Sequence, residues 1–567
     1  MKSKSSLLWI MKASKKQTFL LIILSLANII TSTSYVGLAL VSREAINVVT
    51  SGNLENFKPQ LLNCGLVALA IIVTQLALTL FSSHLTAVIH GHFEMELRQR
   101  FFANITSKKY KNLKNYHSGE LLNRFTSDVD TVVSGVTEFV PQLVSIVSKI
   151  VSGLVVLATF STGFTGIVIS AGVVITLGAT LISPLFKKMH KSVQQASGVM
   201  RGFTQECVEN IVVVKSFSNK VPLLNQLVNY MKTLYKRKIH RNHVGNITHG
   251  GLFIVFTAGY YATLFWGVFQ IASGSMDYGT LMAFLQIVSN IRAPFFSASG
   301  LITRFYSALA SAERLMEIEG LEAEPIDNDF DAEATYNNMD EIRVQNLSFT
   351  YGDDDIIKNS TFSIRKGSFV SLTGASGSGK STLFRLLLGL YDPQDGELMI
   401  KTKDGDRIID ATTRSLFAYV PQGNLLLSGT IAENIKFGCD NVTQEQLDKA
   451  TETACLKELV DSLPDGYNTV LGERGLGLSE GQIQRISIAR ALLSDAPVLL
   501  LDECTSALDE TTELRLLENI AKLTTKTVIF ISHRNAALSI CDQHLRLENR
   551  TIFNKVDKTI TKPQNTD

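Results

Sequence analysis

Six apolar runs, at about 18–42, 61–89, 137–160, 164–185, 248–271 and 279–300, dictate most of what the first half of this chain can become. Each is long enough to cross a hydrocarbon core about 30 Å thick as a helix rising about 1.5 Å per residue. Backbone N–H and C=O groups in lipid must be satisfied within the segment, so these runs read as α-helices rather than open strands or loops. Some carry polar residues, such as Asn63, Gln75 and His84 in the second, which implies helices packed on one another rather than facing lipid all round.

Composition supports a membrane part joined to a soluble part. Hydrophobic residues make up 45% of the 567 and charged residues only 19%, with mean hydropathy +0.16. A chain of this length needs at least two domains. The formal net charge of +2 offers no basic excess for nucleic acid. Cys64, Cys207, Cys439, Cys455, Cys504 and Cys541 are scattered without a Cys-x-x-Cys pair, which argues against structural zinc or a disulfide framework. Residues 1–17 are basic, but the apolar run after them is as long as a full span and shows no small-residue cleavage site, so the start reads as an anchored helix.

Lys and Arg concentrate in cytoplasmic loops. The N-terminus carries Lys2, Lys4, Lys12, Lys15 and Lys16, and the connection between the second and third runs holds Arg98, Arg100, Lys108, Lys109, Lys111, Lys114 and Arg124. The connection between the fourth and fifth runs is richer still, whereas Ala272 to Gly279 has neither Lys nor Arg. Both termini are therefore expected inside. The two long inner connections read as helix, so the spans should continue beyond the membrane as hairpins. In the first, His117–Glu120 and then Arg124–Asp130 read as a turn and a capped helix start. An acidic stretch from Glu322 to Glu341 reads as an exposed linker, giving a membrane domain at 1–316, a linker at 317–340 and a soluble domain at 341–567.

The soluble half alternates short β-branched strands with helices, the pattern of an α/β domain on a mainly parallel sheet. Within it Gly374-Ala375-Ser376-Gly377-Ser378-Gly379-Lys380-Ser381-Thr382 lies between an apolar run and a helical pattern. Glycines let the backbone curl so that N–H groups point inward, and the helix N-terminus adds positive charge where a phosphate would sit. This predicts ATP or GTP binding, with Lys380 reaching the β- and γ-phosphates and Ser381 ligating Mg²⁺. Val498–Leu501 reads as a buried central strand ending in Asp502-Glu503. Ligands of open α/β sheets bind beyond the carboxyl ends of strands. Asp502 is thus suited to hold Mg²⁺ and Glu503 to polarise an attacking water.

The series Tyr351, Gly374–Thr382, Gln422, Leu478-Ser479-Glu480-Gly481-Gln482, Asp502-Glu503, Ser506-Ala507-Leu508-Asp509 and His533 resembles the nucleotide-binding domain of an ATP-binding-cassette transporter. With six apolar runs ahead of it, the chain resembles a half-transporter of the multidrug, lipid and peptide exporter group. The resemblance implies six long transmembrane helices plus an α/β P-loop domain with a helical subdomain. It implies Tyr351 stacking on adenine, Gln422 contacting Mg²⁺ and water, and His533 bonding the γ-phosphate. Ser479, Gly481 and Gln482 of the signature segment would meet the ATP of a second subunit, and Asp509 is a further nucleotide-binding residue the resemblance implies. The first glycine usual in the signature is Glu480 here, which keeps open a heterodimer with one weakened site beside a homodimer. Segments Gly119–Asp130 and Glu206–Phe217 would be coupling helices. A bacterial inner membrane, with both termini and the ATPase in the cytoplasm, is the expected setting, and a channel or regulator using the same cassettes is the competing reading.

Two cations stand inside the apolar runs. Lys149 lies about 11 residues from the outer end of the third and Arg292 about 14 from that of the sixth, roughly 17–21 Å deep. Charges there usually face a cavity or partner, so both are candidates for the substrate path, favouring substrates with an anionic group. Cys504, next to Glu503, is either a reactive thiol whose modification would disturb the site or a small buried hydrophobe.

Overall fold

In the computed structural model the chain forms two compact units, Met1–Asn104 with Ser118–Gly320, and Ile105–His117 with Leu321–Asp567. The structure describes residues 2–50, 57–216, 220–423, 426–472, 477–532 and 534–554.

The first unit is helical. Its long helices are Thr18–Thr50, Phe57–Thr106, Phe139–Phe160, Thr162–Glu209, Val221–Ala272 and Tyr278–Glu319, preceded by a short one at Lys2–Ala13. Among the described residues five segments are long and apolar enough to cross a membrane; the sixth expected run lies on Tyr278–Glu319, where side chains of 293–300 are outside the described residues. The helices outrun the apolar stretches as expected: Val221–Ala272 has 52 residues, about 78 Å of helix. Two tight links have capped starts, with Ser161 accepting from the Phe164 N–H and Asp277 from the Thr280 N–H. Close approach depends on missing side chains. A Cβ on Gly267 would lie 2.3 Å from Leu281 Cδ1, and one on Gly135 2.5 Å from Ala308 Cβ. Around Gly267, Trp266 stacks on Phe164 at 4.7 Å, and Phe164 meets Phe284 at 5.1 Å.

The reading of a capped start at Arg124–Asp130 is corrected. Arg124–Asp128 is a π-helical turn between Ser118–Asn123 and Val129–Thr137, and Asp128 caps nothing. Its buried carboxylate instead accepts from Arg314 Nε at 2.8 Å and Nη2 at 2.5 Å and from Ser311 Oγ at 2.9 Å. Arg124, equally buried, donates to the Arg314 carbonyl at 2.7 Å and to Glu120 at 2.7 Å. A buried charge requires such partners, and the extra residue of a π-turn re-aims side chains toward them.

The second unit holds two main sheets. One has six strands in the order Thr551–Asn554, Gln543–Glu548, Phe369–Gly374, Thr527–Ile531, Val498–Asp502, Phe417–Val420, parallel except for the antiparallel pair at the Thr551 edge. Phe369–Leu372, Thr527–Ile531 and Val498–Asp502 are buried throughout, as a parallel sheet covered on both faces requires. The other sheet is antiparallel, ordered Asp354–Arg365, Met339–Tyr351, Asp395–Thr402, Gly405–Ile408. Helices Gln444–Thr453 and Glu480–Leu493 pack in a further apolar cluster with Leu447, Ile483 and Ile486 at its centre.

The stretch expected as an exposed linker is tied down. The helix before it runs to Glu319, Glu324 pairs with Arg414 through two bonds at 2.8 and 2.9 Å, and Asp327 pairs with Arg407. Glu324 N–H also donates to the Ser107 carbonyl at 2.9 Å, and Lys109 N–H to the Glu322 carbonyl at 3.1 Å. Residues Ile105–His117 thus belong to the second unit, while Gly119–Asp130, one of the expected coupling segments, lies in the first. Of the other expected coupling segment, Ile211–Ser216 is a short helix of the first unit, and Phe217 lies outside the described residues.

Candidate nucleotide site

Register brings the chemistry together. The strand Thr527–Ile531 sits between the other two carriers, with Ile531 opposite Leu372 on one side and Asp502 on the other. The loop after Leu372 and the carboxylates after Leu501 therefore emerge at the same sheet edge, beside the segment that follows Ile531. His533 on that segment lies outside the described residues.

The loop from Gly374 has the curled backbone expected of it: φ is +157° at Gly374, +72° at Gly377 and +113° at Gly379. At Gly379 a Cβ would fall 2.3 Å from Ile356 Cγ2, so the residue is required by space as well as by φ. Ser376 and Gly377 are exposed on the loop, and the helix Lys380–Leu387 begins directly after it, with Ser381 and Thr382 in its first turn. The buried Lys380 ammonium donates to the carbonyls of Gly374 at 2.8 Å and Ala375 at 3.1 Å, folded back on the loop's own oxygens. Burial pushes its pKa down, and the nearby Glu503 and Asp502 charges oppose that shift. Ser378 Oγ is buried with no hydrogen-bond partner, a polar group still to be satisfied.

Asp502 is buried at the strand end and Oδ1 has no partner, while its carboxylate accepts from Ser381 and, at 3.3 Å, from Tyr419 Oη. Burial pushes its carboxyl above the usual range, against the pull of the Ser381 bond. An orphaned buried carboxylate oxygen beside a serine hydroxyl fits a hard divalent cation such as Mg²⁺, which would restore the charge balance. Glu503 sits at φ +47°, a left-handed conformation costly for a non-glycine residue, held by its N–H donating to the Ile531 carbonyl at 2.9 Å. Gln422 Nε2 donates to Glu503 Oε2 at 2.6 Å. Tyr351 lies at the end of its strand within a ring cluster, 4.9 Å from Phe349 and 5.2 Å from Tyr391.

The signature segment opens the helix Glu480–Leu493. Ser479 caps it: its hydroxyl accepts from the Gln482 N–H at 3.3 Å, and Gln482 Oε1 accepts from the Ser479 N–H at 2.9 Å. A Cβ on Gly481 would lie 2.7 Å from the Ala507 carbonyl oxygen. Glu480 is exposed in the first turn, where a negative charge suits the helix dipole. Asp509 caps Glu510–Ala521, accepting from Thr512 N–H at 3.0 Å and Thr511 Oγ1 at 2.5 Å, and these bonds hold its carboxyl well below the usual range. Among the described residues no hydrogen bond joins Ser479, Gly481, Gln482 or Asp509 to the phosphate loop.

Several residues of this site were not foreseen. Gln484 bridges Ser506 Oγ at 3.1 Å and the Ala507 N–H at 3.2 Å, tying the signature helix to the segment after Glu503. Arg534 donates to the Ser506 and Leu508 carbonyls and pairs with the buried Glu513 at 2.5 Å. Cys504 is the buried hydrophobe of its two readings, and burial pushes its thiol up to about 12.

Long apolar helices in one unit and a phosphate-cradling loop beside strand-end carboxylates in the other define a nucleotide-driven membrane transporter. Residues 21–295 match the model of the ABC transporter transmembrane region, and 357–506 a second family model described as ABC transporter. The chain is 31% identical over 502 residues to the uncharacterised ABC transporter ATP-binding protein YfiB of Bacillus subtilis, covering 87% of this chain and 85% of that one. It is 28% identical over 494 residues to an ATP-dependent lipid A-core flippase of Haemophilus influenzae, covering 86% and 83%. Its fold matches a bacterial Atm1-family ABC exporter solved with ATP bound, at TM-score 0.82 and 21% identity over 95% of this chain and 94% of that one. This chain belongs to the ABC transporter family. It is a multi-pass membrane protein and an ATP-binding ATPase coupled to export.

Proposed function

We propose that the chain is one half of a dimeric exporter working by alternating access, in which two ATP-binding units close on two ATP molecules. The observation that carries this reading is the sheet register that brings Gly374–Thr382 and Asp502-Glu503 to one edge in a chain that also carries membrane helices. In it, Lys380 exchanges the loop carbonyls for phosphate oxygens, and the N–H groups of the loop take the remaining charge. Ser381, Gln422 and Asp502 would hold Mg²⁺, which supplies charge neutralisation at the phosphates when bound. Glu503, oriented by Gln422, takes the proton of the attacking water, and His533 would steady the γ-phosphate. Tyr351 stacks on adenine. The exposed Ser479 of each copy and the buried Gly481 beside it close the other copy's ATP, with Gln482 and Asp509 shaping that surface. Glu480 at the helix surface supports a working site in a homodimer, and a heterodimer with one weakened site is the alternative. The domains are taken as 1–316, 317–340 and 341–567, with Ile105–His117 added to the last. We place the chain in a bacterial inner membrane with both termini and the ATPase in the cytoplasm.

For substrate, the reading is an amphipathic drug, lipid or peptide with an anionic group. Lys149 Nζ stands 4.8 Å from the Tyr35 ring and the Arg292 guanidinium 4.8 Å from the Phe253 ring. The nearby acid Glu138 pairs with Arg304 at 2.5 Å instead. A cation resting on an aromatic face, as Lys149 does, keeps its charge and stays attractive to an anion. The test is ATP-dependent uptake into inverted vesicles, in wild type and in Lys149→Met and Arg292→Met. Accumulation of an anionic amphiphile that falls at least about fivefold in both variants, the scale of a cation–π or ionic contact, is expected. Conductance without accumulation would turn the reading to a gated channel, and unchanged uptake in both variants would remove the two cations from the path.

A further inference from the structure

The ring that the proposed function gives to adenine already carries a cation. Lys114 Nζ lies 4.5 Å above the centre of Tyr351 and 5.9 Å from that of Tyr391. The ring is fixed from its other sides. Buried Phe349 and Tyr391 meet it edge to face, and Arg385 donates to its hydroxyl at 3.2 Å. Tyr351 is half-buried and Lys114 exposed, so the ammonium covers the ring from the solvent side, the side by which a base must arrive. A stacked base lies about 3.5–4 Å from the ring, the layer the ammonium occupies. Both cannot be there.

We propose that Lys114 is an affinity-setting residue for the nucleotide base: it competes with adenine for the face of Tyr351 and must leave when ATP binds. This deepens the proposed role of Tyr351 and rests on it. The segment that carries the lysine is anchored independently. Lys108 Nζ donates to the Leu321 carbonyl at 2.8 Å, and Lys109 pairs with Glu322 at 2.6 Å and Asp392 at 3.4 Å. Tyr110 packs edge to face on Tyr391 at 5.7 Å. Lys114 can therefore release the ring while its segment stays in place. That segment joins the helix Phe57–Thr106 to Ser118–Asn123, so arrival of the base changes the restraint on a stretch of chain continuous at both ends with the membrane unit.

The sign of the effect separates this from ordinary electrostatics. A lysine that merely attracts nucleotide would weaken binding when removed, whereas a competitor tightens it. The measurement is the Kd for ATP and for inorganic triphosphate, which has no base, on the full-length protein in nanodiscs with chelator present to stop turnover. Lys114→Met is expected to lower the ATP Kd about two- to fivefold, the scale of a solvent-exposed cation–π contact, and to leave triphosphate unchanged or weaker. Lys114→Arg, which keeps the contact, should bind ATP as wild type does. Combined with Tyr351→Leu, the lysine substitution should have no tightening effect. An ATP Kd that is unchanged or raised in Lys114→Met, while Tyr351→Leu alone weakens ATP, overturns the competition and leaves the stacking role standing. If Tyr351→Leu alone leaves ATP affinity untouched, the stacking role fails, and the competition with it.

Discussion

The helix Phe57–Thr106 leaves its most apolar 18-residue stretch entirely unburied within its own unit, whereas every residue of the strand Val498–Asp502 is buried. Each arrangement suits one solvent. In the ATP-binding unit apolar side chains are removed from water and the carboxylates emerge at the strand end, so stability and chemistry share one scaffold. In the membrane unit lipid is as apolar as leucine, and helix association rests on close approach at Gly135 and Gly267 and on polar clamps such as Asp128–Arg314. A substitution of one kind should therefore act differently in the two units.

The largest effect belongs to chemistry in the ATP-binding unit. Glu503→Gln should lower steady-state phosphate release by roughly 10² or more while ATP still binds, and substantial turnover by this variant would remove Glu503 from the role of base. Stability comes next, and here the comparison can be broken. Leu500→Ala, at a fully buried site, should cost about 2–5 kcal/mol. Asp128→Asn, which weakens the clamp on Arg314, should cost about 1–3 kcal/mol, whereas Val151→Ala, 52% exposed on its helix, should cost less than about 0.5 kcal/mol. Thermal unfolding of the detergent-solubilised chain orders the three, and a Val151 loss as large as that of Asp128 would contradict the idea that polar clamps outweigh exposed apolar contacts. The smallest effect is expected at the signature: Glu480→Gly should change ATPase activity by less than about threefold, because the side chain is exposed and its neighbours Ser479 and Gly481 keep their geometry. A rise well beyond that would show that the carboxylate suppresses the site.

What could be read from the residues alone follows the same division. A span announces itself by length and hydropathy, and Gly374–Thr382 by fixed spacing, because one short segment carries the whole physical requirement. The antiparallel sheet around Met339–Tyr351 was not legible, since its partners at Asp395–Thr402 are distant in sequence and register is set by pairing. Arg124–Asp130 read as a capped start because Ser and Asp near a turn usually are caps, and only Arg314, which is 186 positions from Asp128, reveals the alternative. Gln484 and Arg534 were missed for the same reason: each bonds to groups more than 20 positions away that no spacing rule connects. The acidic stretch from Glu322 seemed solvated by composition, yet Arg414 and Arg407 hold it.

The division of the chain also has a consequence for its biosynthesis. Ile105–His117 leaves the ribosome ~200 residues before Leu321, the next residue of the unit it completes. Until then Lys108 and Lys109 lack Leu321 and Glu322, and Tyr110 lacks Tyr391. The ATP-binding unit is therefore completed only by joining to a peptide made long before it. A fragment starting at Leu321 would be born without that piece and without its contacts to Leu321, Glu322 and Tyr391.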